Sequence, residues 1–240
     1  MKNWIRKILL MICICVFVYS AYQLVQIFIN YRTIENKSNE LIVNYVEEKD
    51  DPEDRKIDFE KLQKQNPDVI GWLYIPDTKI DEPILKGKNN DTYLRTDIDH
   101  QSNSAGQIFI DEINTKDFQD DNTIIYGHNM KNGSRFHDLR YYVKKGFYQE
   151  HPKVYIYLPN GQVNVYNIFV ADIVDASSEL YQKNIDDYKS YITKAQKGAN
   201  QRSKISQEKA PLILLSTCYT TGSDERYIVI AQLNRDTQEG

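Results

Sequence analysis

Outside the apolar N-terminus, Cys218 is the residue whose side chain is best suited to covalent chemistry. It ends an apolar run in the stretch LILLSTCYTTGSDERYIVIAQL, residues 212–233, and Arg226 opens the next β-like run. Cys13 and Cys15 lie inside the N-terminal apolar segment, where we interpret them as ordinary apolar residues without a chemical role. Because the rest of the chain offers Cys218 no second cysteine for an internal disulfide, Cys218 is either an inert core thiol or a reactive one.

A reactive thiol needs a basic neighbour, and histidine is the usual one. His128 is the best placed of the four histidines, because the stretch NTIIYGHNM carries an apolar strand directly into Gly127 and His128. A glycine at this point permits an unusual backbone or a close neighbour. Two strand ends that meet at one rim of a barrel could bring this imidazole to the thiol, whereas a structural histidine is the alternative. Surface positions are predicted for the other three, His100, His137 and His151.

Arg226 has a side chain suited to stabilising negative charge. Its planar, permanently charged guanidinium can hold a carbonyl oxygen while an oxyanion develops on it. The alternative interpretation is a rim residue whose side chain only lies along the barrel surface. If residues 211–218 and 226–233 form neighbouring strands, the loop of residues 219–225 returns the chain to the same end. Arg226 would then lie near Cys218.

Metal and phosphate chemistry have little support in the sequence. Cys-x-x-Cys and His-x-x-x-His spacings do not occur, and there is no Gly-rich phosphate loop. We therefore expect neither a zinc site nor a Gly-rich phosphate site. The formal net charge of −4 leaves no dominant basic surface, so a nucleic-acid partner is not expected either.

The elements that must position these residues are mostly β. The chain has 18 tyrosines, which favour strands, and its apolar and alternating runs predict eight of them. The predicted strands cover residues 71–76, 79–85, 105–111, 122–126, 153–158, 161–175, 211–218 and 226–233. The turn at Pro159, Asn160 and Gly161 predicts a hairpin between two of them.

Helices are predicted at residues 31–48, 57–65 and 135–145, and as an insertion at residues 178–199. The last of these lies between two predicted strands, directly before the strand that ends in the cysteine. Eight short strands with helical insertions favour a mostly β fold, a closed β-barrel of about eight strands.

The N-terminus contains a segment long enough to cross a membrane. No charged residue occurs in the 24 positions between Lys7 and Arg32, and a membrane-spanning helix needs about 20 apolar residues. Three cations precede the segment, which predicts a cytoplasmic N-terminus and an exported remainder. A cleaved signal peptide is the alternative, because Ser20 and Ala21 are small residues of the kind found near cleavage sites.

Three parts of the chain follow from this pattern. Residues 1–31 are predicted to form a cytoplasmic tip and transmembrane anchor, and residues 32–66 juxtamembrane helices and a charged linker. Residues 67–240 are predicted to form the β-barrel catalytic domain.

Three motifs occur in the order His, Cys, Arg: YGHNM at residues 126–130, LSTC at residues 215–218, and the arginine that opens the following strand. In this combination the sequence resembles a class B sortase. The stretches NPDVIGWLYIPDTKIDEPIL and GQIFID, residues 66–85 and 106–111, also resemble that class, as does the insertion before the cysteine strand. The resemblance covers about residues 57–233 and predicts a sortase-like barrel.

Sortases are membrane-anchored cysteine transpeptidases of Gram-positive bacteria that attach surface proteins to the cell wall. The resemblance therefore implies that Cys218 is the nucleophile, His128 the general acid and base, and Arg226 the stabiliser of the transition state or substrate. It further implies that Ser216 and Thr217 contact the substrate, and that no cofactor takes part.

The implied reaction cleaves an Asn-Pro-x-Thr type sorting signal through a thioester and transfers the protein to an amine of peptidoglycan or its lipid-linked precursor. One departure concerns Thr220, because some class B relatives carry an acidic residue at that position. Three different functions stay open: an exported cysteine peptidase that hydrolyses wall or surface peptides, a pilin-polymerising sortase, and a non-catalytic scaffold with the same barrel.

Overall fold

The structure, a computed structural model, describes residues 3–234, which divide between Glu40 and Leu41 into two compact units. The first unit belongs to helix α1 (Asn3–Tyr45), whose most apolar 18-residue window has a mean hydropathy of 2.3. By length and composition this helix could cross a membrane. Met1, Lys2 and residues 235–240, which the predicted first and last parts of the chain include, lie outside the described residues.

The second unit is built mainly from strands. In the described part of the chain these are β1 (Val46–Glu47), β2 (Lys56–Ile57), β3 (Val69–Tyr74), β4 (Asp81–Leu85), β5 (Ile108–Ile110), β6 (Asn122–Tyr126), β7 (Lys153–Tyr157), β8 (Val163–Asp175), β9 (Gln201–Arg202), β10 (Leu212–Cys218) and β11 (Glu225–Leu233). The helices are α2 (Phe59–Gln65), α3 (Leu139–Tyr142), α4 (Phe147–Glu150) and α5 (Tyr188–Gln196). Short 3-10 helices occur at Pro52–Asp54 and Glu179–Tyr181.

Eight of these strands close into a barrel in the order β11-β10-β6-β5-β4-β3-β7-β8, and β8 pairs back with β11. Most neighbours are antiparallel, but β10 runs parallel to β6 and β5 runs parallel to β4. The eight barrel strands are the eight that the sequence predicts, and the predicted closed β-barrel is confirmed. Strand β9 adds a short ninth pairing to β8, while β1 and β2 pair only with each other.

The barrel wall is buried on both faces around the cysteine strand. Ile213 and Leu215 belong to the interior cluster, to which all eight barrel strands contribute. Leu212 and Leu214 point to the opposite face and pack against α5 and its flanking segments. Because the insertion covers the outer face here, β10 is a continuous apolar run and does not show the alternation of a half-exposed strand.

The insertion before the cysteine strand is less helical than predicted. In place of one element over residues 178–199, the chain forms the 3-10 turn Glu179–Tyr181 and then α5. Helix α5 begins where Asp187 accepts a hydrogen bond from the backbone N–H of Ser190 at 3.0 Å. A capping aspartate thus starts a new helix inside the segment.

The prediction for residues 135–145 is wrong at both ends, because only Leu139–Tyr142 is helical. Arg135 has a left-handed backbone with φ +57°, which a helix cannot contain. Its side chain is 1% exposed and forms an ion pair with Glu82, so it does not lie on a solvated helix surface. By contrast, the predicted hairpin is confirmed: the Leu158 N–H bonds the Gln162 carbonyl at 2.9 Å, and Gly161 has φ +86°.

Candidate active site

Cys218 and Arg226 are direct neighbours on adjacent strands. Cys218 is the last residue of β10, Arg226 is the second residue of β11, and the antiparallel register pairs them with each other. The backbone N–H of Tyr219 donates to the Glu225 carbonyl at 3.0 Å and closes the connecting loop. The sequence prediction that the loop returns Arg226 to the cysteine is confirmed by this register.

His128 reaches the same place through the parallel pairing of β6 with β10. Tyr126 is the register partner of Ser216, and the N–H of Gly127 continues the pairing by donating to the Ser216 carbonyl at 3.2 Å. Two residues further along each chain come His128 and Cys218, and both border the same cleft. The side-chain amide of Asn129 donates to the Cys218 carbonyl at 3.0 Å and fixes the histidine segment to the end of the cysteine strand.

The alternation of side chains places this group on the outer face of the barrel wall. Cys218 shares its strand face with Leu214, and Arg226 shares its face with Ile228, and both aliphatic residues belong to the outer cluster. His128 lies two residues beyond the end of β6 and borders the same cleft as Cys218 and Arg226. The strand ends meet at one end of the barrel, as the sequence suggests, but their side chains are directed away from the barrel interior.

These side chains border one cleft of about 240 Å³. The strand ends contribute Tyr126, Gly127, His128, Ser216, Thr217, Cys218 and Arg226, and the other lining residues are Asn90, Asp91, Leu94 and Phe109. Larger grooves occur elsewhere, for example around Lys204 and Gln232, but they lie away from the cysteine. The cleft thus brings together a thiol, an imidazole and a guanidinium.

Gly127 is required by a close neighbour. A Cβ atom at this position would lie 2.9 Å from the ring of Phe136, which is fully buried in the barrel interior. Such a separation is too short for carbon atoms, so a larger residue here would displace the backbone that leads into His128. This is the close approach that the glycine in the sequence suggests.

The imidazole of His128 is oriented by a backbone carbonyl. Its Nε2 lies 2.7 Å from the Leu94 oxygen, and because a carbonyl only accepts, Nε2 carries the hydrogen. Burial lowers the pKa of His128 below its usual value of 6.5, the Leu94 carbonyl opposes that effect, and the charges of Arg95 and Arg135 reinforce it. The neutral imidazole is therefore favoured at neutral pH.

The guanidinium of Arg226 is held at one nitrogen by its own loop. Nη1 donates to the carbonyls of Ser223 at 2.6 Å and Glu225 at 2.9 Å. This arrangement fixes the side chain at the mouth of the β10–β11 loop beside Cys218. The other N–H groups of the planar guanidinium are donors of the kind that bind an oxyanion or a peptide carbonyl.

Ser216 and Thr217 differ in direction. Ser216 shares the face of Cys218, and its hydroxyl lies 2.7 Å from that of Tyr181. Burial raises the pKa of Tyr181, so its hydroxyl stays protonated. Thr217 belongs to the opposite face with Ile213 and Leu215 and is 2% exposed, which leaves its backbone as the part that can meet a ligand.

Sequence reasoning did not identify Tyr181 or Asn129 as neighbours of the site. Tyr181 ends the 3-10 turn in the insertion, and no motif signal distinguishes it from the other tyrosines. Asn129 directly follows His128, so its position beside a candidate base was the available signal. Among residues 3–234, no group of three or more histidine, cysteine, aspartate or glutamate residues is arranged to hold a metal ion.

The other three histidines lie away from the cleft. His100 is exposed and has a left-handed backbone with φ +58°. The ring of His137 packs edge-on against Tyr141, and Nδ1 of His151 lies 3.1 Å from the Pro76 carbonyl. His128 is the one histidine among the described residues that line the cleft.

Known proteins with similar sequences were compared with the chain. The family profile described as Sortase domain matches residues 73–234. A curated protein named Sortase B from Listeria monocytogenes is 34% identical over 245 aligned residues, which cover 96% of each chain. Another named Sortase B, from Staphylococcus aureus, is 28% identical and covers 95% of each.

Solved structures give the same family of folds. Sortase B of B. anthracis, in complex with AAEK1, is 28% identical with a TM-score of 0.73, covering 86% of this chain and 98% of that one. A Staphylococcus aureus sortase B–substrate complex is 26% identical with a TM-score of 0.70, covering 87% and 96%. Sortase B complexed with triglycine is 25% identical with a TM-score of 0.69, covering 87% and 97%.

Proposed function

The chain belongs to the sortase family, in its class B, and we propose that this cysteine transpeptidase joins secreted proteins bearing an Asn-Pro-x-Thr type sorting signal to a cell-wall amine. One observation carries the proposal. Cys218, His128 and Arg226, from three separate strand ends, border a single cleft on the outer face of the barrel. Each has the chemical type that acyl transfer from a peptide requires.

The first half-reaction begins at the sulfur. The Cys218 thiolate attacks the threonine carbonyl carbon and forms a tetrahedral intermediate whose oxyanion is stabilised by the guanidinium of Arg226. The peptide C–N bond then breaks, and protonated His128 donates its proton to the leaving amine. The product is a thioester between Cys218 and the threonine carbonyl, and the C-terminal part of the signal departs.

The second half-reaction reverses these roles. An amine of a peptidoglycan cross-bridge, or of its lipid-linked precursor, attacks the thioester carbonyl, and neutral His128 accepts the proton of that amine. The Cys218 thiolate leaves, and a new amide bond remains. The relatives solved with a substrate and with triglycine support a peptide signal and an amine acceptor of this kind.

The reaction uses His128 both as an imidazolium, which donates a proton, and as a neutral imidazole, which accepts one. Since the pKa of His128 is lowered, the fraction of protein with an imidazolium is small at neutral pH. The reactive form, thiolate together with imidazolium, is therefore a minority species, and equilibration restores it as it reacts.

The substrate contacts expected on sequence grounds are proposed with different parts of each residue. The Ser216 hydroxyl, on the face of Cys218 and beside Tyr181, is suited to a hydrogen bond with the signal peptide. For Thr217 we propose a backbone contact, because its side chain is directed into the barrel.

For the cellular location we propose a single-pass membrane protein with a cytoplasmic N-terminus and an extracellular catalytic domain. The apolar helix α1 supports the anchor, and the cations that precede its apolar stretch support the orientation. The proposed parts are residues 1–31 for the anchor, 32–66 for the juxtamembrane segment and 67–240 for the catalytic domain. An enzyme held there meets both a secreted substrate and a lipid-linked acceptor.

The deciding experiment follows one signal peptide with and without an acceptor amine. The full chain in detergent is mixed with an Asn-Pro-x-Thr peptide, and the products and any acyl-enzyme are identified by mass spectrometry. We expect a mass increase on Cys218 that hydroxylamine removes, and an amide product when triglycine is added. Hydrolysis that the amine leaves unchanged would contradict transpeptidation and favour an exported cysteine peptidase.

A non-catalytic scaffold and a pilin-polymerising sortase are less well supported. The scaffold predicts no acyl-enzyme at all, so the same experiment tests it. Pilin polymerisation would require a pilin lysine as the acceptor, and the two curated relatives, both named Sortase B, do not favour it.

A further inference from the structure

A buried ion pair lies behind the histidine of the cleft. The Nη1 atom of Arg135 is 2.5 Å from Oε1 of Glu82, and the two side chains are 1% and 2% exposed. Glu82 belongs to β4, whereas Arg135 belongs to the loop after β6. A buried pair of charges is costly to assemble and gives no general gain in stability over apolar residues, so its presence here calls for a specific role.

Arg135 lies at the base of the loop that carries His128. Residues 129 and 135 form an antiparallel bridge, and the N–H of Phe136 donates to the His128 carbonyl at 3.0 Å. Arg135 itself has φ +57°, a conformation that costs free energy for a residue with a Cβ atom. The contacts of its side chain therefore hold the loop in a strained closure directly beside the backbone of His128.

The same guanidinium also reaches the segment that orients the imidazole ring. Nε and Nη2 of Arg135 donate to the Gly106 carbonyl at 3.0 and 2.8 Å. Gly106 packs so closely on the neighbouring segment that a Cβ atom there would lie 2.5 Å from the Leu94 oxygen. That oxygen accepts the hydrogen bond from Nε2 of His128.

We propose that the Arg135–Glu82 ion pair positions His128 for proton transfer. The guanidinium of Arg135 connects two segments that hold His128: the loop that carries His128 and the segment that contains the Leu94 carbonyl. Glu82 fixes the fork and neutralises its charge. This inference rests on the acid–base role proposed above for His128, and Arg135 is a positioning residue that does not touch the substrate.

The charge of Arg135 gives the proposal a signature that packing alone would lack. The charged or titratable groups that border the cleft with His128 are Asp91, Tyr126, Cys218 and Arg226, and the charges of Arg95 and Arg135 also act on the imidazole. Arg135 and Arg95 both act to lower the pKa of His128. Removing the cation from the pair should raise that pKa, whereas removing only the neutralising carboxylate should lower it.

The test compares Arg135→Met and Glu82→Gln with a matched control in the full chain. Arg55→Met breaks a similar buried pair, in which Nη2 of Arg55 lies 2.6 Å from Asp81, the residue beside Glu82 on β4. Arg55 does not border the cleft. Each variant is examined for kcat and KM in transpeptidation and for the titration of His128 by NMR, with that resonance assigned through its loss in His128→Ala.

We expect Arg135→Met to reduce kcat by about 10- to 100-fold with little change in KM, since displacement of a catalytic group by about 1 Å can cost 10²-fold in rate. The pKa of His128 should rise in Arg135→Met and fall in Glu82→Gln. Arg135→Lys, which keeps the charge but loses the fork, should reduce kcat while the His128 titration stays near that of the wild type. Should Arg135→Met fail to fold, Glu82→Gln and Arg135→Lys carry the test.

An unchanged His128 titration in both charge variants, with a loss of kcat no greater than in Arg55→Met, would overturn the inference. That outcome would leave the proposed function intact as long as His128→Ala is inactive. If His128→Ala retained transpeptidation, the acid–base role itself would fail, and the two failures are therefore distinguishable.

Discussion

Cys218 and Arg226 face each other as register partners across the antiparallel pair β10–β11, at the point where both strands reach the cleft. The backbone fixes the distance between their Cα atoms, so the thiol and the guanidinium approach the substrate from neighbouring positions on one sheet face. This relationship makes the roles of the two residues separable by substitution.

The first prediction concerns the nucleophile. Cys218→Ala should abolish cleavage of a signal peptide, because no other thiol borders the cleft among the residues that the structure describes. The fold should persist, since the side chain is only half-buried at a strand end. Peptide cleavage and thermal unfolding are measured on the same preparation. Turnover that survives the substitution would refute the assignment.

The second prediction concerns the acid and base. His128→Ala should remove detectable transpeptidation, because His128 is the histidine among the described residues that border the cleft. His100→Ala should have wild-type activity, since His100 is exposed and does not line the cleft. His137→Ala and His151→Ala serve as further controls and should lose at most a small part of kcat/KM. An active His128→Ala together with an inactive control would reverse the assignment.

The third prediction separates the charge of Arg226 from its shape. Arg226→Lys keeps a cation but cannot hold the Ser223 and Glu225 carbonyls and a substrate oxygen in one plane. Loss of one oxyanion donor costs about 10²–10³ in rate, so we expect kcat/KM to fall at least about 100-fold, with Arg226→Ala as low or lower.

Alkylation of Cys218 by iodoacetamide provides the control for Arg226. It should continue in both variants, because the oxyanion role does not include activation of the thiol. A lysine variant with nearly wild-type kcat/KM would remove the oxyanion role. Loss of alkylation would instead assign Arg226 to the stabilisation of the thiolate.

The fourth prediction concerns pH. Burial, reinforced by Arg95 and Arg135, lowers the pKa of His128, so the neutral imidazole is favoured and its proton is lost at a pH below the usual value of 6.5. The His128 imidazole, followed by NMR as a function of pH, should therefore titrate with a midpoint below pH 6.5. A midpoint at or above that value would contradict the lowered pKa.

The fifth prediction concerns Gly127. In Gly127→Ala the new methyl group would lie 2.9 Å from the Phe136 ring, so we expect the free energy of unfolding to fall by about 1–3 kcal/mol. We also expect kcat to fall, because the methyl group displaces the backbone that leads into His128. Adding Phe136→Leu to this variant should recover part of the activity by making room. Chemical denaturation and kcat are measured for the single and double variants, and full activity in Gly127→Ala would show that the contact is unimportant.

Much of the fold could be predicted because local patterns determine it. Strand β6 has the bounds expected from its apolar run, residues 122–126, and the β7–β8 hairpin follows from its glycine turn. The order of Cys218, its loop and Arg226 was sufficient to predict their proximity, since a tight antiparallel connection leaves few other arrangements.

The parts that could not be predicted depend on distant partners. Arg135 was expected to begin a helix, because the sequence near it contains no sign of its partner Glu82, which lies 53 positions earlier. Tyr181 likewise gains its role from a distant partner, because its hydroxyl meets that of Ser216, which lies 35 positions later. The direction of the cleft, outward from the wall, depends on which strand face the insertion covers.

That outward direction has a consequence for cargo size. A peptide in a cleft on the outside of a wall can continue into open space at both ends, whereas a peptide inside a barrel must thread through it. A folded domain on either side of the bound segment would therefore not have to enter the barrel. An outward cleft therefore suits an internal bond of a longer chain, because the chain need not pass through the barrel.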